Sequence, residues 1–174
     1  MAERDRKRRR AHLDQHIRDA NGEYHYVGDW YVLQGGQRAL APFALWTLLA
    51  AAGVIAAGCV NFPGMMNTWY VILPYVLSAG LVFALLWQGG KLLGGRGRLK
   101  AYDYEGVQEK LAPIAGGLIF AVALTGALGG VYLLRHGADD ALGCIAFYAS
   151  LAVAALGAWA AGRAWKAQIW EKAE

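Results

Sequence analysis

The stretch QRALAPFALWTLLAAAGVIAAG, Gln37 to Gly58, decides the fold class. After Arg38 it carries no charged side chain, and a helix needs roughly 20 apolar residues to cross a hydrocarbon core about 30 Å thick. A buried helix of a water-soluble protein keeps a polar face at a 3.6-residue period, whereas this run is apolar or small all round. Three more runs of the same kind follow, so that stretches without Asp, Glu, Lys, Arg or His cover about 39–60, 68–88, 112–134 and 141–162. The composition agrees, with 57% hydrophobic residues, 17% charged residues and 23 glycines; such a bias belongs to membrane proteins. The expected fold is all-α: a polytopic membrane protein with four transmembrane helices.

Charge placement predicts the orientation, because Lys and Arg near the ends of spans stay in the cytoplasm. Of the 17 basic residues, eight precede the first run, five lie in 89–111 (Lys91, Arg96, Arg98, Lys100, Lys110) and three follow the fourth (Arg163, Lys166, Lys172). Arg135 alone falls on the other side. Both termini are therefore expected in the cytoplasm of a multi-pass protein of the cell membrane. The start RDRKRRR runs into polar AHLDQHIRDA rather than an apolar stretch, which reads as a retained first span and not a cleaved signal. The outer loops, 61–67 and 135–140, are too short for a folded receptor domain. The expected organisation is a basic tail (1–38), a first hairpin (39–88), a basic cytoplasmic loop (89–111), a second hairpin (112–162) and a C-terminal tail (163–174).

QRALAP has a near copy, QEKLAP, at Gln108 to Pro113, and the match extends backwards: YVLQGGQRALAP and YDYEGVQEKLAP agree at six of twelve positions. Proline suits the first turn of a helix, where no hydrogen bond is lost, so Pro42 and Pro113 both read as helix entries. On this reading the chain is two tandem helical hairpins, a parallel repeat about an axis along the membrane normal. The plainer alternative is that any membrane entry collects a glycine, a proline and a polar residue.

Helices in lipid associate through small residues that let backbones approach. The fourth run has Ala146, Ser150, Ala154, Ala158 and Gly162 at four-residue spacing, and the third offers Gly126 and Gly130. The first carries AAAGVIAAG from Ala50 to Gly58, but in a chain this rich in Ala and Gly such runs arise by composition, so weight falls on the five-member stripe. Trp69, Tyr70, Tyr75 and Tyr132 at one end, and Trp87, Trp159, Trp165 and Trp170 at the other, read as interfacial belts. Pro74 interrupts the second run and is expected to be a tolerated membrane proline or a kink.

Ionisable groups inside a membrane mark proton relays and ion paths, and the runs hold none. Proton-coupled pumping, intramembrane proteolysis and metal-dependent hydrolysis are thereby disfavoured. Two function classes remain. One is a non-enzymatic accessory or structural component of a membrane assembly, packing through the stripe against a second copy or another membrane protein. The other is a small facilitator or channel for a neutral or apolar solute, lined by Thr47, Ser78, Thr125 and Ser150.

Arg4, Arg6, Lys7, Arg8, Arg9 and Arg10 are expected to hold anionic lipid headgroups of the inner leaflet. No nucleic-acid partner is expected, since no stacking platform or recognition fold accompanies them. His12 and His16 share a spacing that suits a metal, with Asp14 or His25 nearby, yet nothing completes a closed site, and no metal or cofactor is expected. Cys59 and Cys144 lie near the outer ends of their runs, where either a disulfide or two small buried side chains fits. EYHYVGDWYVLQ alternates around Gly28-Asp29 and predicts either a short hairpin at 23–34 lying on the membrane interface or an irregular segment there.

Overall fold

The computed structural model describes residues 16–18, 23–60, 62, 64, 68–137 and 140–173. Four long helices dominate: α1 (Ala41–Cys59), α2 (Trp69–Gly94), α3 (Ala101–His136) and α4 (Ala141–Lys166). All four are long and apolar enough to cross a membrane, which makes this a multi-pass membrane architecture. The most extensive helix contacts are α1 with α4 and α2 with α3, followed by α3 with α4 and α1 with α2. Phe43, Val54, Leu85, Leu111, Leu118 and Phe147 fill the centre.

Among the described residues there are five short strands, where the sequence suggested at most a two-stranded hairpin at 23–34: β1 (His16–Arg18), β2 (Tyr24–Tyr26), β3 (Trp30–Leu33), β4 (Arg98–Lys100) and β5 (Trp170–Ala173). The hairpin expected around Gly28-Asp29 does not form. Instead β2 pairs with β1, while β3 becomes the centre of an antiparallel sheet in the order β4-β3-β5. Trp30 stands opposite Lys100 and Ala173, and Leu33 stands opposite Trp170. The reason is burial: alternate residues of β3 point to one face, and pairing with β4 and β5 lets that face cover the end of the bundle. Leu33 and Leu99 are buried, Tyr31 stacks on Tyr104 with ring centres 4.3 Å apart, and Tyr104 reaches Trp170 at 5.5 Å. The pre-helix tail, the middle connection and the C-terminus therefore meet at one end of the bundle.

The two copies of the repeated stretch adopt different structures. Residues 31–33 are strand, Gly35 and Gly36 turn with φ of 82° and 63°, and a 3-10 turn (Gly36–Leu40) leads into α1. In the second copy the whole stretch is helical, and Pro113 lies inside α3 rather than at its start. The chemistry explains this, because Val107 replaces Gly36 and a β-branched residue does not adopt positive φ. The expected basic loop 89–111 is correspondingly short: α2 runs to Gly94 and α3 begins at Ala101. At 36 residues, α3 is about 54 Å long and projects beyond a bilayer core of about 30 Å. Val107 and Leu111 on the projecting part are buried, at the three-to-four-residue spacing of a helix with one apolar face.

Candidate functional site

The tightest seam joins α1 and α4. A methyl group added at Gly53 would lie 2.5 Å from the Ala154 nitrogen, and one at Gly157 would lie 2.6 Å from the Ala50 nitrogen. Each glycine thus lets its helix rest on the backbone of the other, α1 offering Ala50, Gly53 and Ala57 and α4 offering Ala154, Gly157 and Ala161, the alanines all fully buried. Of the expected stripe, Ala154 and Ala158 are fully buried, the Ser150 carbonyl faces Gly53, and Ala146 and Gly162 are half-buried. Gly162 lies 3.8 Å from the Ala115 methyl of α3, measured from where its own Cβ would be. The stripe is therefore used within the chain. Within the chain, Ser150 and Ala154 of the stripe meet Gly53 of the run from Ala50 to Gly58, while Gly162 meets α3.

Gly126 and Gly130 do not bring two backbones together either. They make room for Tyr148, whose hydroxyl donates to the Gly126 carbonyl at 3.1 Å and lies 3.5 Å from where a Gly130 Cβ would be. The first hairpin contains the same arrangement. Tyr75 of α2 donates to the Val54 carbonyl of α1 at 3.1 Å, and its ring end occupies the place of a side chain at Gly58. In both cases the glycine lies four residues after the accepting carbonyl. Interhelical hydrogen bonds in lipid contribute modestly, so Tyr75→Phe and Tyr148→Phe are each expected to cost about 0.5–1.5 kcal/mol. The double variant should cost the sum, as read by unfolding in mixed detergent.

The hydroxyls expected to line a pore are mostly committed to their own helices. Ser78 donates to Pro74 at 2.9 Å, Thr125 to Ala121 at 2.8 Å and Ser150 to Ala146 at 2.7 Å. Thr47 is buried and its hydroxyl has no hydrogen-bond partner. Aromatic rings cluster towards both ends of the bundle. Phe62, from the connection between α1 and α2, is buried and stacks on Phe147 at 4.4 Å with the planes 8° apart. At the sheet end Trp165 lies between Phe43, Tyr104 and Trp170, at 6.3, 6.4 and 6.0 Å. Trp165 is buried and Trp170 is half-buried against it in β5, so these two pack on the core rather than forming a belt; Trp69, Trp87 and Trp159 are exposed, as a belt requires.

The sheet end is also where charge gathers. Lys172 pairs with Asp29 at 2.8 Å, and the hydrogen bond and charge of Asp29 raise its pKa. The Tyr26 hydroxyl donates to the Asp29 carbonyl at 3.0 Å and accepts from the Ala101 amide at 3.2 Å, fixing the first turn of α3 to the loop before β3. Burial pushes the Tyr26 phenol up, which favours the neutral form that this donation needs. Lys100 lies over the Tyr26 ring at 5.0 Å.

The expected headgroup residues Arg4, Arg6, Lys7, Arg8, Arg9 and Arg10 lie outside the described residues, as do His12 and Asp14. Among the described residues no three His, Cys, Asp or Glu side chains come together as a metal site. Cys59 and Cys144 are free thiols, the first exposed and the second buried. Comparison with family models, with curated proteins and with solved structures found no match.

Proposed function

We propose that the protein is a non-enzymatic integral membrane component, an accessory or structural part of a larger membrane assembly or of an oligomer of itself. The observation that carries this reading is the pair of ring clusters at the two ends of the bundle: Phe62 on Phe147 at one end and Trp165 among Phe43, Tyr104 and Trp170 at the other. Three of the four candidate pore hydroxyls spend their donors on their own helices, which leaves the outer surface as the working part of the molecule. Since the small stripe is occupied by α1, a partner would meet other faces. The facilitator reading retains the buried, unpaired Thr47 hydroxyl as its support. Pull-down in mild detergent with mass spectrometry separates the two. Co-purifying membrane proteins or a defined oligomer are expected; a monomer that elutes alone and makes reconstituted vesicles leak a specific solute would replace this reading with the facilitator.

Two finer statements belong to the same proposal. The first is that both termini face the cytoplasm, supported by the basic residues and by the sheet that joins tail, middle connection and C-terminus at one end. Cysteines placed at Lys7 and Lys172 are expected to react only with membrane-permeant thiol reagents; labelling of intact cells by an impermeant one would reverse the orientation. The second is a tandem-hairpin repeat whose axis exchanges α1 with α3 and α2 with α4. It is supported by the like bridges from Tyr75 to Val54 and from Tyr148 to Gly126, which lie one and two residues out of the register set by Leu40 and Leu111. It is further supported by the contacts of α1 with α4 and of α2 with α3, which such an axis interchanges.

A further inference from the structure

Two hollows meet at one residue. An apolar groove of about 450 Å³ runs along the outer surface of α2, lined by Phe83, Leu86, Trp87, Gly90 and Lys91. A smaller hollow of about 230 Å³ lies where α2 ends, and its walls include Lys91, Arg98, Lys100, Asp103 and Trp30. Lys91 belongs to both. In the sheet register Trp30 stands opposite Lys100, and Val32 opposite Arg98, so Trp30, Arg98 and Lys100 share the face of the sheet turned away from the bundle core.

We propose that these joined hollows are a binding site for one anionic phospholipid, with an acyl chain along the α2 groove and the phosphate among Lys91, Arg98 and Lys100. The inference rests on the membrane reading of α2 and not on whether the protein has a protein partner. Three observations carry it. The groove is on a side of the helix that faces lipid, since Phe83 and Trp87 are 76% and 69% exposed. No neighbouring side chain closes it at Gly90, where an added methyl group would meet nothing within 4 Å. The cations gather at the helix end rather than in the apolar length, where the chain of a lipid gives way to its headgroup. Three cations against the single carboxylate of Asp103 leave the hollow with a net formal charge of +2, which complements a phosphate. Trp30 adds an indole at the depth that such rings favour. A free phosphate would use the basic hollow and leave the groove empty, so the contribution of the chain separates the two sources.

The test is native mass spectrometry of the purified full-length chain titrated with phosphatidylglycerol and with phosphatidylcholine of the same chains. Phosphatidylglycerol is expected to be retained preferentially. Lys91→Gln and Arg98→Gln, both at exposed positions, should each lower that retention about fivefold, and Asp103→Asn should raise it by a similar factor. Gly90→Leu, whose Cβ meets nothing within 4 Å and whose side chain would enter the groove, should weaken a 16-carbon lipid while leaving a six-carbon one unchanged. The site would be overturned if these variants bound as the parent does while glutamine at Arg4, Arg6, Lys7, Arg8, Arg9 and Arg10 abolished the preference, because binding would then belong to the tail. Equal loss of short-chain and long-chain lipid in Gly90→Leu would equally overturn the groove as the seat of the acyl chain.

Discussion

Gly157→Leu is expected to destabilise the bundle by at least about 3 kcal/mol, the upper end for overpacking a close-packed core. Most overpacked side chains are accommodated by a neighbour changing rotamer. At Gly157 there is no such neighbour: the space a Cβ needs is held by the Ala50 nitrogen and Cα and by the Trp46 carbonyl, all backbone of α1. The helices would have to separate along the seam, which loses dispersion contact over several turns where no hydrophobic driving force in lipid restores it. Gly53→Leu should behave the same way, pressing on Ser150 and Ala154. Ala154→Leu, at a fully buried position facing Gly53, should cost about 1–3 kcal/mol. Gly80→Leu and Gly116→Leu provide the contrast, because added methyl groups there meet nothing within 4 Å. These two should stay within about 1 kcal/mol of the parent, with helix propensity in their favour. Unfolding in mixed detergent followed by circular dichroism reads all five. Similar losses at Gly80 and Gly157 would remove the α1–α4 seam from the account.

The second large effect is expected at Trp165. Only 8% of its surface is exposed, and its ring stands where α4, α1, α3 and the sheet converge, touching Phe43, Tyr104 and Trp170. Trp165→Ala leaves a cavity that no single element can collapse into, and a loss of about 3–5 kcal/mol is expected. The indole also supports the inner face of the sheet through Trp170. Trp165→Ala should therefore speed proteolysis after Lys166 relative to the parent. Trp159→Ala, on the same helix but 53% exposed, should do neither. Equal protection of β5 in the parent and in Trp165→Ala would show that the sheet does not depend on the aromatic cluster.

The four spans were legible because their signal is compositional: a charge-free run of about 20 residues has few explanations. The sheet was not legible, since β3, β4 and β5 have three or four residues each and owe their pairing to segments far apart in sequence. Val32 meets Arg98 and Glu171, and nothing local to any of the three announces the others. The early start of α3 was legible in principle. Ala101, Tyr104, Val107 and Leu111 recur at helical spacing, but Pro113 was given the role of a helix start when it is tolerated inside one. Of the α4 stripe, Ala154 and Ala158 are fully buried within the chain, and Ala154 meets α1 at Gly53. The complement on α1, Ala50, Gly53 and Ala57, was set aside as a product of composition, although it has the same spacing as Ala154, Gly157 and Ala161. Phe62 carried no signal at all, because a lone aromatic in a short connection looks the same whether it faces lipid or closes a bundle.

The central claim is that three distant segments close one end of a membrane bundle as a single sheet, and cross-linking in native membranes tests it most directly. With Cys59 and Cys144 replaced by alanine, cysteines at Val32 and Glu171, or at Val32 and Arg98, occupy directly opposed positions in neighbouring antiparallel strands. Opposed Cα atoms in such pairs lie about 4.5–5.5 Å apart, within reach of a disulfide. Mild oxidation is expected to join both pairs and to leave cysteines at Leu134 and Glu171, at opposite ends of the bundle, unjoined. A cross-link between 134 and 171, with none between 32 and 171, would contradict the account.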